Sequence, residues 1–110
     1  MVGILIISHG RLAEALITSV QSLVGDLERT RGVSIWPKDT GEEIKQRVRK
    51  NMAEVADGSG VLILTDILGG TPTNLTLSFV RDERIEIITG VNMPMLLTIS
   101  SYRGISSCIW

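Results

Sequence analysis

The chain contains one histidine, His9, placed between Ser8 and Gly10 directly after the apolar run Val2–Ile7. A carboxylate, Asp66, directly follows another apolar run, Gly60–Thr65. A carboxylate that accepts from Nδ1–H sets the imidazole tautomer and leaves the Nε2 lone pair free. That is what a nucleophilic imidazole needs. The blander reading of a lone histidine is a turn residue satisfied by backbone. Its position beside Gly10, with a carboxylate after an equivalent run, shifts the balance toward chemistry.

Three residues beyond Asp66 begins Gly69-Gly70-Thr71-Pro72. Glycines let backbone approach a ligand closely. A helix starting at Pro72, with Thr71 as N-cap, would offer free N–H groups and a favourable dipole to an anion. No Gly-Lys-Ser/Thr follows, so nucleotide triphosphate binding is unsupported. Ser8 lacks a Gly-x-Ser-x-Gly elbow, and its neighbour His9 points the other way along a strand. Trp36 either lines the same cleft or packs into the core. Asn92 either hydrogen-bonds across the site or caps a helix. Arg11 is a single cation with weak claim to an anion, and Cys108 has no partner base nearby.

The elements that must position these residues follow from periodicity. Val2–Ile7 reads as a strand buried on both faces. Leu12, Ala15, Leu16, Ser19, Val20 and Leu23 fit one face of a helix that Gly25 or Asp26 ends. Val33–Trp36 is a second strand closed by Pro37. Asp39-Thr40-Gly41-Glu42-Glu43 opens a helix with capping side chains and then acids in its first turn. Ile44, Val48, Met52 and Val55 form its buried face, Glu43 supports Arg47, and Lys45, Arg47, Arg49 and Lys50 form a solvated outer face. Gly60–Thr65 is a third strand. Leu75, Phe79 and Val80 line a third helix, Arg84–Thr89 is a fourth strand, and Met93–Ile99 begins a fourth helix, with Met52, Met93 and Met95 as core fillers. This alternation predicts an α/β fold: a single three-layer domain, 1–110, with a mainly parallel four-stranded central sheet and helices on both faces. In such sheets ligands bind beyond the carboxyl ends of the strands, where Ser8-His9-Gly10, Asp66 and Gly90-Val91-Asn92 all fall.

Composition agrees with a folded domain, at 44% hydrophobic and 21% charged residues over 110 positions. A net charge of -1 provides no electrostatic footprint for nucleic acid. The apolar runs are too short to span a bilayer. The N-terminus has no cationic signal-peptide region, and the single cysteine allows no internal disulfide, so a cytoplasmic setting is expected. One His and one Cys do not make the usual zinc site, so no metal is expected.

Three stretches carry a family likeness: Ile7-Ser8-His9-Gly10 with Ala13-Glu14; Thr65-Asp66-Ile67-Leu68-Gly69-Gly70-Thr71-Pro72-Thr73-Asn74; and Gly90-Val91-Asn92-Met93-Pro94-Met95-Leu96. In order and spacing they resemble the IIA component of the mannose family of the bacterial phosphoenolpyruvate-dependent sugar phosphotransferase system, over roughly Met1–Leu97. The resemblance implies that His9 accepts a phosphoryl group from the small phosphocarrier HPr and passes it to a IIB component. Asp66 would orient the histidine, and Gly10, Gly70 and Thr71 would hold the phosphoryl group. Asn92 and Trp36 would stand behind them. No cofactor is implied, and contact with the membrane would be indirect, through IIC and IID. A regulatory module without sugar transport, a phosphoryl donor subunit of a dihydroxyacetone kinase and a non-covalent anion binder are the alternatives. The tail Thr98–Trp110 departs from the family pattern. A shortened domain would leave apolar surface exposed, so self-association into a homo-oligomer is expected.

Overall fold

Four consecutive side chains, Ile4, Leu5, Ile6 and Ile7, are fully buried in β1 (Gly3–His9). Only a strand with both faces covered explains that run, and each such side chain contributes about 1.5–3 kcal/mol on burial. The computed structural model describes residues 1–66 and 84–103. Within them α1 (Leu12–Val24), β2 (Thr30–Ile35), α2 (Gly41–Val55), β3 (Val61–Thr65), β4 (Ile85–Thr89) and α3 (Met93–Tyr102) follow β1. The strands form one all-parallel sheet in the order β2-β1-β3-β4. The predicted third helix, with Leu75, Phe79 and Val80, lies outside the described residues, as does 104–110 with Cys108.

The two faces of the sheet build two cores. Ile4, Ile6, Leu62 and Leu64 face α1 and α3, through Ala13, Val20, Leu96 and Ile99. Leu5, Ile7, Val33 and Ile63 face α2, through Ile44, Val48 and Val55. Alternation along β1 and β3 separates the sets. The chain steps from β1 outward to β2, then back across β1 to β3. With right-handed crossovers, that reversal requires α1 and α2 to lie on opposite faces.

Local chemistry explains the boundaries. β1 runs two residues past the expected Ile7 because Ser8 and His9 stay in register with Ser34 and Ile35 of β2. Thr40 caps α2 with a capping box: its Oγ1 accepts from Glu43 N at 3.2 Å, and Glu43 Oε1 accepts from Thr40 N at 3.3 Å. Gly25, at φ 86°, ends α1.

The expected buried face of α1 holds at Leu16 and Val20 and is corrected elsewhere. Ala13 and Val20 are buried, with Leu16 and Ile17 packed beside them, while Leu12, Ala15 and Leu23 are exposed. The phase is set by Gly32 in β2: a Cβ there would stand 3.2 Å from Ala13 Cβ and 3.3 Å from Ile17 Cδ1. The bare glycine admits the helix at these two residues.

The start of the expected atypical tail is regular. α3 continues to Tyr102, and the buried Arg103 donates to the carbonyls of Val2, at 3.2 Å, and Glu28. Burial lowers the pKa of that guanidinium, and the nearby Glu28 opposes the shift.

Candidate functional site

The sequence leaves β1 toward β2 and leaves β3 toward β4, on opposite sides of the crevice between β1 and β3. Such a reversal point is where doubly wound sheets bind ligands, at the carboxyl ends of the strands. His9 is the last residue of β1, and Asp66 follows the last residue of β3. Ile7 and Thr65 are register partners, so the two chain ends leave the sheet side by side.

The two side chains meet. Asp66 Oδ2 lies 3.1 Å from His9 Nδ1 and also accepts the His9 backbone N–H at 3.0 Å. An ionised carboxylate only accepts, so this geometry places the ring proton on Nδ1 and leaves Nε2 with its lone pair. The His9 side chain is 47% exposed, whereas that of Asp66 is 11% exposed. The imidazole is thus open to a reactant, while the carboxylate bonded to it is sheltered.

Neighbouring residues hold this pair in place. Ser8 is fully buried, and its Oγ accepts from Ala13 N at 2.7 Å. It performs the capping task at the start of α1, where Arg11 makes no side-chain cap bond. The hydroxyl is therefore structural, as the missing hydrolase elbow implies. Gly10 adopts φ 59°, the left-handed conformation glycine allows, and its N–H donates to Ile35 O at 3.0 Å. That bond engages the Gly10 amide, and the residue shapes the turn. Asn92 caps α3, its Oδ1 accepting from Met95 N at 2.9 Å. Arg11 is exposed beside the turn. Gly70 and Thr71 lie outside the described residues.

Trp36 stands just past β2, 39% exposed, with its Cζ3 4.0 Å from where a Cβ on Gly10 would be. It therefore lines the rim of the site and is not core. A cluster that periodicity did not reveal supports it. Arg47, read as part of a solvated face, folds back to grip Asp39 through both terminal nitrogens, at 2.8 and 3.1 Å, and donates to Ser34 O at 2.9 Å. Its expected partner Glu43 is 4.0 Å away. The carboxylate eight residues upstream wins because the fork geometry of guanidinium matches it bidentately. Arg47, followed by the Trp36 N–H, holds the Asp39 carboxyl down to about 2. The signal available in sequence was an acid in the turn directly before an N-cap, within reach of an arginine two turns into the helix.

Among the described residues no helix is long and apolar enough to cross a membrane, and no three His, Cys, Asp or Glu side chains group as metal ligands.

Comparison with known proteins converges on one family. The family model described as "PTS system fructose IIA component" matches residues 3–108. The chain is 34% identical over 97 residues to the mannose-specific EIIAB component of Escherichia coli K12, covering 87% of the chain but 30% of that protein. It thus spans about a third of that relative's length. It is 30% identical over 104 residues to the fructose-specific EIIA component of Bacillus subtilis, covering 94% of the chain and 71% of the relative. Among solved structures, the IIA protein associated with the fucose utilization operon of Streptococcus pneumoniae superposes with a TM-score of 0.82 at 32% identity, covering 90% of this chain and 76% of that one. EIIA from Streptococcus agalactiae gives a TM-score of 0.85 at 25% identity, covering 96% and 82%.

Proposed function

Because the chain belongs to the IIA component family of the bacterial sugar phosphotransferase system, the mannose, fructose and sorbose type, we propose that it is a phosphocarrier charged on His9. The phosphoryl group comes from the phosphohistidine of HPr and leaves to a IIB component for sugar uptake and phosphorylation. The observation that carries this reading is the 3.1 Å contact of His9 Nδ1 with Asp66 Oδ2, on a ring that is half exposed at the strand-reversal crevice.

The mechanism follows from that contact. The P–N bond of the donor phosphohistidine breaks as the bond from phosphorus to His9 Nε2 forms, in line. The electron pair of the broken bond stays on the donor imidazole. The Nδ1 proton of His9 stays in place, so the His9 ring becomes cationic, and Asp66 stabilises that charge as it develops. Little covalent work is required beyond alignment and charge stabilisation. Gly70 and Thr71, which lie outside the described residues, take the phosphoryl oxygens in this reading. The carrier works in the cytoplasm and meets the membrane only through IIC and IID.

The test is incubation with phosphoenolpyruvate, enzyme I and HPr, followed by intact mass. One added phosphoryl group, labile in acid and absent from His9→Ala, is the expected result. Transfer onward to a IIB component completes it. No added mass in an assay that charges a known IIA protein overturns the reading.

A further inference from the structure

An exposed indole beside a nucleophile needs an explanation, because burial does not supply one. Trp36 is 39% exposed, while Ile35, its neighbour in the chain, is 4% exposed. The turn that presents it is pinned at both ends. Trp36 N donates to Asp39 Oδ2 at 2.8 Å, and Asp39 N donates back to Trp36 O at 3.0 Å. The Asp39 side chain is 4% exposed and takes both nitrogens of Arg47, which also binds the Ser34 carbonyl of β2. Strand, turn and helix α2 are thus locked together beneath one outward-facing aromatic ring.

We propose that Trp36 is a docking and specificity residue for the protein that delivers the phosphoryl group to His9, and that the Asp39–Arg47 pair positions it. This rests on the phosphocarrier reading above. The occupant is a protein bearing a phosphohistidine, and the geometry demands its presence there. Transfer between two imidazoles brings both nitrogens to one phosphorus, with reacting atoms about 3–3.5 Å apart beforehand. The donor's surface must then lie over the rim of His9. Trp36 is on that rim: Ile35 is the register partner of His9, and the Gly10 N–H is bonded to the Ile35 carbonyl. Beyond the indole runs an open groove of about 720 Å³ whose walls include Lys38, Glu43 and Arg47. The ring is therefore an apolar spot beside a partly charged wall. Tryptophan and a preorganised support are the usual makings of a binding hot spot, since ordering costs are met before the partner arrives.

The experiment compares two phosphoryl donors: the phosphorylated donor protein, and phosphoramidate, a small donor that needs no docking surface. Trp36→Ala should raise the KM for the protein donor about tenfold or more. The maximal rate at saturating donor and the phosphoramidate rate should fall far less. Trp36→Phe should restore most of the KM, and Arg47→Ala should raise it by a smaller factor. A KM within twofold of wild type in Trp36→Ala overturns the proposal. An equal fall with both donors also overturns it, because Trp36 would then act on His9 itself. A wild-type chain that reacts with neither donor removes the phosphocarrier reading and this proposal together, whereas normal charging with an unmoved KM removes only this one.

Discussion

Replacing Asp66 by Asn keeps the shape of the side chain and removes its charge. In the parent, Oδ2 accepts from both the backbone N–H and Nδ1 of His9, at 3.0 and 3.1 Å. A hydrogen bond to a charged group is worth about 1.5–3 kcal/mol. In the phosphocarrier reading the full benefit appears only once the ring has become cationic, so it lowers the barrier and not merely the ground state. At about 1.4 kcal/mol per tenfold, the span corresponds to roughly tenfold to somewhat over a hundredfold in rate. The His9 side chain is 47% exposed, so solvent screens part of the attraction and the lower half of the span applies, about ten- to fortyfold. A further loss enters if the Asn amide turns its NH2 toward Nδ1. That arrangement favours the Nε2–H tautomer and takes away the nucleophilic lone pair. The assay is single-turnover phosphorylation, quenched in alkali and read by intact mass, with Asp66→Ala as the variant lacking both effects. Unfolding midpoints show whether each variant is folded at the assay temperature. A folded Asp66→Asn that charges within about twofold of the parent rate would refute the claim that Asp66 sets the tautomer and stabilises the cation.

Two further predictions concern stability. The Asp39 carboxyl has its pKa depressed from 3.8 to about 2 in the folded state, first by Arg47 and then by the Trp36 N–H. A depressed carboxyl stabilises the fold above its unfolded pKa, and that contribution is lost as pH falls through the folded value, here from about 4 to about 2. Asp57, depressed by the Ser59 N–H and the N-terminal ammonium, acts with the same sign. Melting temperatures between pH 5 and pH 2 should therefore fall less steeply for Asp39→Asn than for the parent; parallel curves would remove Asp39 from the acid response. Gly3→Ala would bring a Cβ to 2.3 Å from the Val55 carbonyl oxygen, a backbone atom with little room to move. It should cost about 3 kcal/mol, the upper end for overpacking. A loss under about 1 kcal/mol in urea unfolding would show that the β1–α2 contact yields.

Some elements were legible because a single local rule decided them. The all-apolar runs of β1 and β3 admit no half-exposed strand, and Thr40 with Glu43 spells a capping box before an amphipathic helix. His9 and Asp66 stood out because each lies at the carboxyl end of such a run. That the two runs are neighbours is a matter of topology, and no local pattern contains it. α1 shows the limit of periodicity. Leu16 and Val20 pack inward as expected, but their buried companions are Ala13 and Ile17 and not Leu12, Ala15 and Leu23, a choice made by Gly32 in a different element. Arg47 was legible only in part for a related reason: its i,i+4 pair with Glu43 is present at 4.0 Å but is the weaker one. Helical spacing offers Glu43 as its partner, whereas the stronger acceptor, Asp39, sits in the preceding turn where no period applies.

The partners in the His9–Asp66 contact are 57 residues apart in sequence, and they meet only through the pairing of β3 with β1. Non-local parallel pairing is intrinsically slow to form. A chain still leaving the ribosome, or one opened by heat, presents an imidazole with no carboxylate to tune it. In the phosphocarrier reading, a copy in which that pairing has not formed should charge more slowly than a folded one. The converse also holds. In the same reading, a cationic, phosphorylated His9 would grip Asp66 more firmly than the neutral ring does and so tighten the seam between the two central strands. A ligand bound only by the native state stabilises that state, so a charged carrier should outlast an empty one under proteolysis.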